Sequence, residues 1–126
     1  METTTTATVD IVNAYYGSWT NGAAAFDRAR LEQIFDADLE FEGSIAGKRR
    51  GAAVFIGGLQ RFVEGLQKPI DVQARVESGS DCAVLYEAEM PGGPMRFAEF
   101  FHVEDGRIRS LKLLYDASQY RALGGR

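Results

Sequence analysis

One acid on an otherwise apolar strand face is the residue best placed here to do chemistry. Glu99 sits in the alternating run from Met95 to Val103, and a second run, Arg107 to Tyr115, follows the turn Glu104-Asp105-Gly106. If that turn has three residues with Gly106 left-handed, Val103 pairs with Arg107 and Glu99 lies opposite Leu111. One face then reads Met95, Phe97, Glu99, Leu111, Leu113 and Tyr115. A two-residue turn would instead set Glu99 against Lys112 as a solvated ion pair. The three-residue register leaves one face almost wholly apolar and is the expected one. A carboxyl group so placed loses hydration, its pKa rises, and it can stay protonated and donate a hydrogen bond.

Other titratable groups are scattered. Asp38 stands at the start of the first strand and Asp116 at the end of the last; both, with Glu42, are candidate bases. Glu87 and Glu89 read as the polar side of a strand. His102 is the one histidine, and a lone histidine builds no metal site without carboxylate partners. Cys82, the one cysteine, lies in the apolar run Cys82-Ala83-Val84-Leu85 and reads as a buried, inert thiol. The basic triplet in Gly47-Lys48-Arg49-Arg50-Gly51 reads as a solvated loop. No metal-ligand spacing, nucleophile elbow, phosphate loop or redox pair occurs, so no metal and no cofactor is expected.

The elements that must position Glu99 follow from periodicity. Val9, Val12, Tyr15, Tyr16 and Trp19 recur at helical spacing, with Thr5, Thr6 or Thr8 as N-cap. Asn21-Gly22 breaks the pattern, and a second helix is expected within Ala23 to Ala37, with Asp27 as a cap. A strand begins at Asp38, where Leu39, Phe41 and Gly43 alternate with glutamates. Val54, Phe55, Leu59, Phe62, Val63 and Leu66 predict a third helix, stopped at Pro69. Its Gly57-Gly58 pair predicts a kink or a close backbone approach. Everything after Pro69 reads as four strands, with Val72, Ala74 and Val76 on one face of the first. Helices followed by a run of strands define an α+β fold: a cone-shaped, curved antiparallel sheet with three helices over its concave face.

With 126 residues the chain has one domain's length, and residues 1–7 are expected to be flexible. A formal charge of −4 argues against a phosphate-binding surface, so no nucleic-acid partner is expected. The threonine-rich start is no signal peptide, and no window approaches the ~18–20 apolar residues of a bilayer span. A cytoplasmic, membrane-free protein is expected. Fourteen aromatic residues exceed what a minimal core needs. Phe35, Phe41, Phe55, Phe62, Tyr86, Phe97 and Tyr115, with Tyr15 and Trp19, fall on faces that converge inside the cone. Tyr16, Leu59, Met90 and Leu113 join them as expected lining of a pocket for a small hydrophobic molecule.

From Tyr15-Tyr16-Gly17-Ser18-Trp19-Thr20-Asn21-Gly22, Leu31-Glu32-Gln33-Ile34-Phe35-Asp36-Ala37-Asp38, Gly51-Ala52-Ala53-Val54-Phe55-Ile56 and Phe97 through Leu114, the chain resembles the nuclear-transport-factor-2-like (NTF2-like) superfamily. Its SnoaL-like and ketosteroid-isomerase-like members are the most similar. The resemblance implies a homodimer paired through the sheet's outer face. It also implies cofactor-free acid–base chemistry: isomerisation, cyclisation, dehydration or hydrolysis. The isomerase's enolate-stabilising tyrosine falls on Tyr15, its protonated acid on Glu99, and its supporting tyrosine on Leu59; its base falls on Gly43, which has no side chain. Asp116 resembles the strand-end acid of epoxide-hydrolase-like members, whose second acid falls near Glu87 and whose arginine falls on Leu85. His102 with Asp116 resembles the pair of polyketide cyclases. The competing expectation is a non-catalytic binding or dimerisation module whose cone is filled by its own side chains.

Overall fold

A computed structural model describes residues 7–125. The flexible start expected for residues 1–7 therefore lies, but for Ala7, outside the described residues. The element order is α1 (Thr8–Gly17), a short 3-10 turn (Ala23–Ala25), α2 (Arg28–Ile34), β1 (Phe35–Gly43), β2 (Gly47–Arg50), α3 (Ala52–Gly65), β3 (Asp71–Ser78), β4 (Asp81–Met90), β5 (Gly93–Glu104), β6 (Arg107–Leu114) and α4 (Ala117–Ala122). Six strands form one curved, unclosed sheet in the order β2-β1-β6-β5-β4-β3, with helices on its inner face. The fold is α+β as expected. The sheet is mixed rather than wholly antiparallel, because β1 runs parallel to β6.

Three helices form where the apolar periodicity lies. α1 buries Ile11, Val12, Tyr15 and Tyr16 while Val9 stays exposed. Its N-cap is Ala7, without a side-chain cap; the expected cap Thr8 instead donates its hydroxyl to the Gly79 carbonyl at 3.0 Å, tying the helix to the β3–β4 turn. Thr5 and Thr6 lie outside the described residues. Asp27 caps α2 by accepting from the Arg30 amide at 3.0 Å. That helix ends at Ile34, and β1 starts at Phe35, three residues before the expected Asp38. Phe35 and Leu39 are both buried four residues apart, because the β1–β6 register shifts between Phe35 and Glu40. Such a spacing mimics a helix.

The presumed loop at Gly47 to Arg50 is a strand, β2, an exposed edge paired antiparallel with β1. Edge strands carry charge and need no apolar alternation, so periodicity misses them. In α3 nothing lies within 4 Å of a Cβ added at Gly57, and at Gly58 such an atom would meet only Arg61. Neither glycine serves a close backbone approach. β3 is almost wholly exposed, and Val76 faces solvent instead of the core. α4 is an unpredicted fourth helix; it has one buried residue, Tyr120, too few for a stripe.

The β5–β6 turn has two residues, Asp105 and Gly106, both left-handed (φ 53° and 75°), and Glu104 pairs with Arg107. This is the tight hairpin geometry that suits the twist of the strands. A bulge after Val103 and Ile108 then moves the register on, so that Glu99 faces Leu113 rather than Leu111. The expected register was therefore wrong, yet the two irregularities together keep Glu99 on the inner face. The bulge also brings Ile108 inside, where it is fully buried.

Candidate functional site

Glu99 is 1% exposed, one of two buried polar side chains among the described residues; the other is Ser18. It lies mid-strand in β5, between Val84 of β4 and Leu113 of β6, and points at α1. Consecutive helix residues project about 100° apart. Tyr15 and Tyr16 therefore straddle the carboxylate, Tyr15 donating its hydroxyl to Oε2 at 2.8 Å and Tyr16 to Oε1 at 2.7 Å. Around them Tyr15 meets Trp19, Phe35 and Phe101 edge to face, at ring-centroid distances of 5.8, 5.8 and 5.2 Å. The phenol rings have one packed position.

Burial pushes the Glu99 carboxyl from an ordinary 4.5 up to about 7, while the two hydroxyls oppose the rise by favouring the ionised form. Tyr15 and Tyr16 are both raised, first by burial and then by the neighbouring carboxylate. They stay protonated and remain donors. Tyr86 is raised for the same two reasons. Near neutral pH the site thus holds one proton that Glu99 can keep or give up, the condition for acid–base work at that pH.

Glu99 and Tyr15 open onto a cavity of about 310 Å³. This lies at the small end of ligand pockets, which run roughly 300–1,000 Å³. Phe55, Leu59 and Phe62 wall it from α3; Phe41, Tyr86, Phe97, Leu113 and Tyr115 wall it from the sheet and its end. With Tyr15 these are nine of the thirteen residues expected as lining. Tyr16, Trp19, Phe35 and Met90 lie in the core behind the wall instead. Tyr16 acts on the site through Glu99. Trp19 is buried with no acceptor for its indole N–H among the described residues.

The expected bases do not meet the acid. Asp38 is exposed and borders no part of the cavity. Asp116 is exposed too, and its carboxylate caps α4 by accepting from the Gln119 amide at 2.9 Å. Glu42 borders the cavity, but in register it stands between Lys48 and Lys112 on the other strand face. Gly43 borders the cavity with no side chain to offer. His102 lies away from the cavity, bonded to Asp81 at 2.8 Å and Glu104 at 3.1 Å; these carboxylates raise its pKa. Cys82 is buried, and burial raises its thiol. Among the described residues no group of His, Cys, Asp and Glu could hold a metal ion.

Sequence reasoning missed Tyr120, Arg49, Arg61 and the β1–β2 turn residues Ile45 and Ala46, all of which border the cavity. Tyr120 had one signal: Asp116, placed where a cap would start a helix. The arginines had none, since nothing local turns them toward a pocket.

The sequence profile of the SnoaL-like domain matches residues 12–111, a span that holds Tyr15, Tyr16 and Glu99. No curated protein matches. A protein from Kribbella flavida has a similar structure, with a TM-score of 0.79 and 25% identity, each chain covered to 94%. A candidate SnoaL-like polyketide cyclase from Jannaschia sp. CCS1 has a TM-score of 0.77 at 14% identity, covering 98% of this chain and 96% of that one. An NTF2-like protein of unknown function from Cytophaga hutchinsonii has a TM-score of 0.71 at 22% identity, covering 96% of this chain and 99% of that one. The profile match spans most of the chain and these structures share its whole architecture, so the chain belongs to the SnoaL-like domain family of the NTF2-like superfamily.

Proposed function

We propose that the cone binds a small, largely apolar molecule and polarises one oxygen of it through Glu99 and Tyr15. The observation that carries this reading is a fully buried carboxyl, held by two hydroxyls, at the wall of an apolar cavity that the chain's own side chains leave open. A buried acid costs stability, and a purely structural core has no need of one. A protonated Glu99 can donate to a carbonyl, and an ionised one can accept from a hydroxyl or take a proton. Cofactor-free isomerisation, cyclisation, dehydration or hydrolysis is within that chemistry.

Binding without turnover is the second reading, and one specific feature favours it. The position that the resemblance gives to the proton-shuttling base is Gly43, and among the described residues no other carboxylate hydrogen-bonds to Glu99. In either reading we propose that two copies pair through the outer face of the sheet, where Phe100 and Leu114 are exposed.

The test is a ligand screen by protein-observed NMR with neutral bicyclic and tricyclic ketones. Binding is expected to perturb the resonances of Tyr15, Phe97 and Glu99. Glu99→Gln is expected to weaken the best ketone about tenfold, a loss of about 1.4 kcal/mol. Ketones that bind elsewhere, or bind equally well to Glu99→Gln, would sink the proposal.

A further inference from the structure

Two cations stand at the cavity without a counter-ion. Arg49 lies on β2 opposite Phe41 and so shares the strand face that turns inward, whereas its neighbour Arg50 pairs with Glu40 at 2.9 Å. Arg61 stands on α3 three residues beyond Gly58, and a Cβ at Gly58 would meet its Nη2 at 3.9 Å. Gly58 is itself cavity wall, so its missing side chain leaves the guanidinium lying against the opening. Neither arginine side chain makes a hydrogen bond or ion pair among the described residues. The other acid at the rim, Glu42, is already flanked in register by Lys48 and Lys112. The opening is therefore locally cationic in a chain whose formal charge is −4.

We infer that the ligand of this cavity carries a carboxylate, which stays at the opening between Arg49 and Arg61 while its apolar body reaches in toward Glu99. The inference rests on the reading of the cone as a ligand pocket and names the class of ligand. Guanidinium groups match a carboxylate in both charge and planar geometry. The reverse orientation would strip the anion of water inside an apolar cavity, away from both guanidinium groups. A cationic ligand would meet repulsion at the opening. The aromatic walls formed by Phe41, Phe55 and Phe62 accept the body in between.

Calorimetric titration with naphthylacetate and its neutral amide, at low salt and near pH 6, tests this directly, because the two probes share a shape. The carboxylate is expected to bind roughly fivefold tighter, the size of two partly exposed charge pairs. That preference should vanish in Arg49→Gln/Arg61→Gln and shrink with added salt, while amide affinity stays constant. Both arginines are exposed, so the double variant should keep the wild-type melting temperature. Equal or weaker binding of the carboxylate, or a preference that survives the double variant, overturns the inference while amide binding keeps the pocket reading alive. If neither probe binds, both fall.

Discussion

A single proton governs Glu99, and its energetic consequence can be measured without any ligand. The carboxyl is raised from 4.5 to about 7 chiefly by burial. Between those pH values the folded state holds a proton that the unfolded state has released. Stability therefore falls as pH rises through that window and levels off above it. At 1.36 kcal/mol per unit the fall is roughly 3 kcal/mol. His102, also raised, contributes stability that is present below its unfolded value of 6.5 and is lost as pH climbs through its folded one. The clean quantity is thus the difference between wild type and Glu99→Gln in urea melts from pH 5 to pH 8. Wild type should lose ground to the variant from pH 5 to about pH 7 and then hold level to pH 8; a constant difference throughout would contradict the buried, raised acid. At this scale the sequence was informative about Glu99 and Tyr15, because an acid interrupting an apolar face is a local anomaly. It was silent about Tyr16 as the second donor, since two adjacent tyrosines look alike until a helix sets their directions.

Elements were legible where burial is periodic and illegible where geometry replaces periodicity. α1, α3, β4 and β5 each write their buried side into the sequence. β2 and α4 do not: one is an all-exposed edge, the other buries a single tyrosine. The Asp105-Gly106 turn was a readable tight-hairpin signal, but the bulge beyond it has no sequence mark, and only both together set the face of Glu99. Two glycines separate conformational need from mere tolerance. A Cβ at Gly92 would lie 3.0 Å from the Cα of Leu123 and 3.3 Å from its carbonyl oxygen, and the Gly92 amide donates to that oxygen at 2.9 Å. Gly92→Ala should therefore push the end of α4 away and lower stability by about 1–3 kcal/mol. Gly57→Ala, in open helix, should raise it by about 1 kcal/mol. Thermal melts of the two variants should move in opposite directions, and the same sign for both would refute this distinction.

Across the whole molecule, the outer face of the sheet is less polar than a solvated face needs to be. Val76, Ala83 and Phe100 lie in one cross-strand row, and Ala74, Leu85, Ala98 and Leu114 in the next. Val76 is 67% exposed, Phe100 45% and Leu114 63%. Contiguous apolar rows of this kind mark association surfaces. The proposed dimer predicts that Phe100→Asp/Leu114→Asp sediments as a folded monomer that still melts cooperatively, at a somewhat lower temperature, whereas wild type sediments at twice the mass. A monomeric wild type would contradict it. Among the described residues no helix is long and apolar enough to cross a membrane. The parallel seam between β1 and β6 carries a different consequence, one of time rather than energy. Phe35 meets Ile108 and Gly43 meets Leu113, so the third helix and four strands lie in the chain between partners some seventy residues apart. Such distant contacts make folding slow, because loop closure precedes their reward. On the ribosome, β1 must wait for β6 to emerge before its parallel edge is paired. Shortening the chain ahead of Arg107 should leave no folded remnant of the cone.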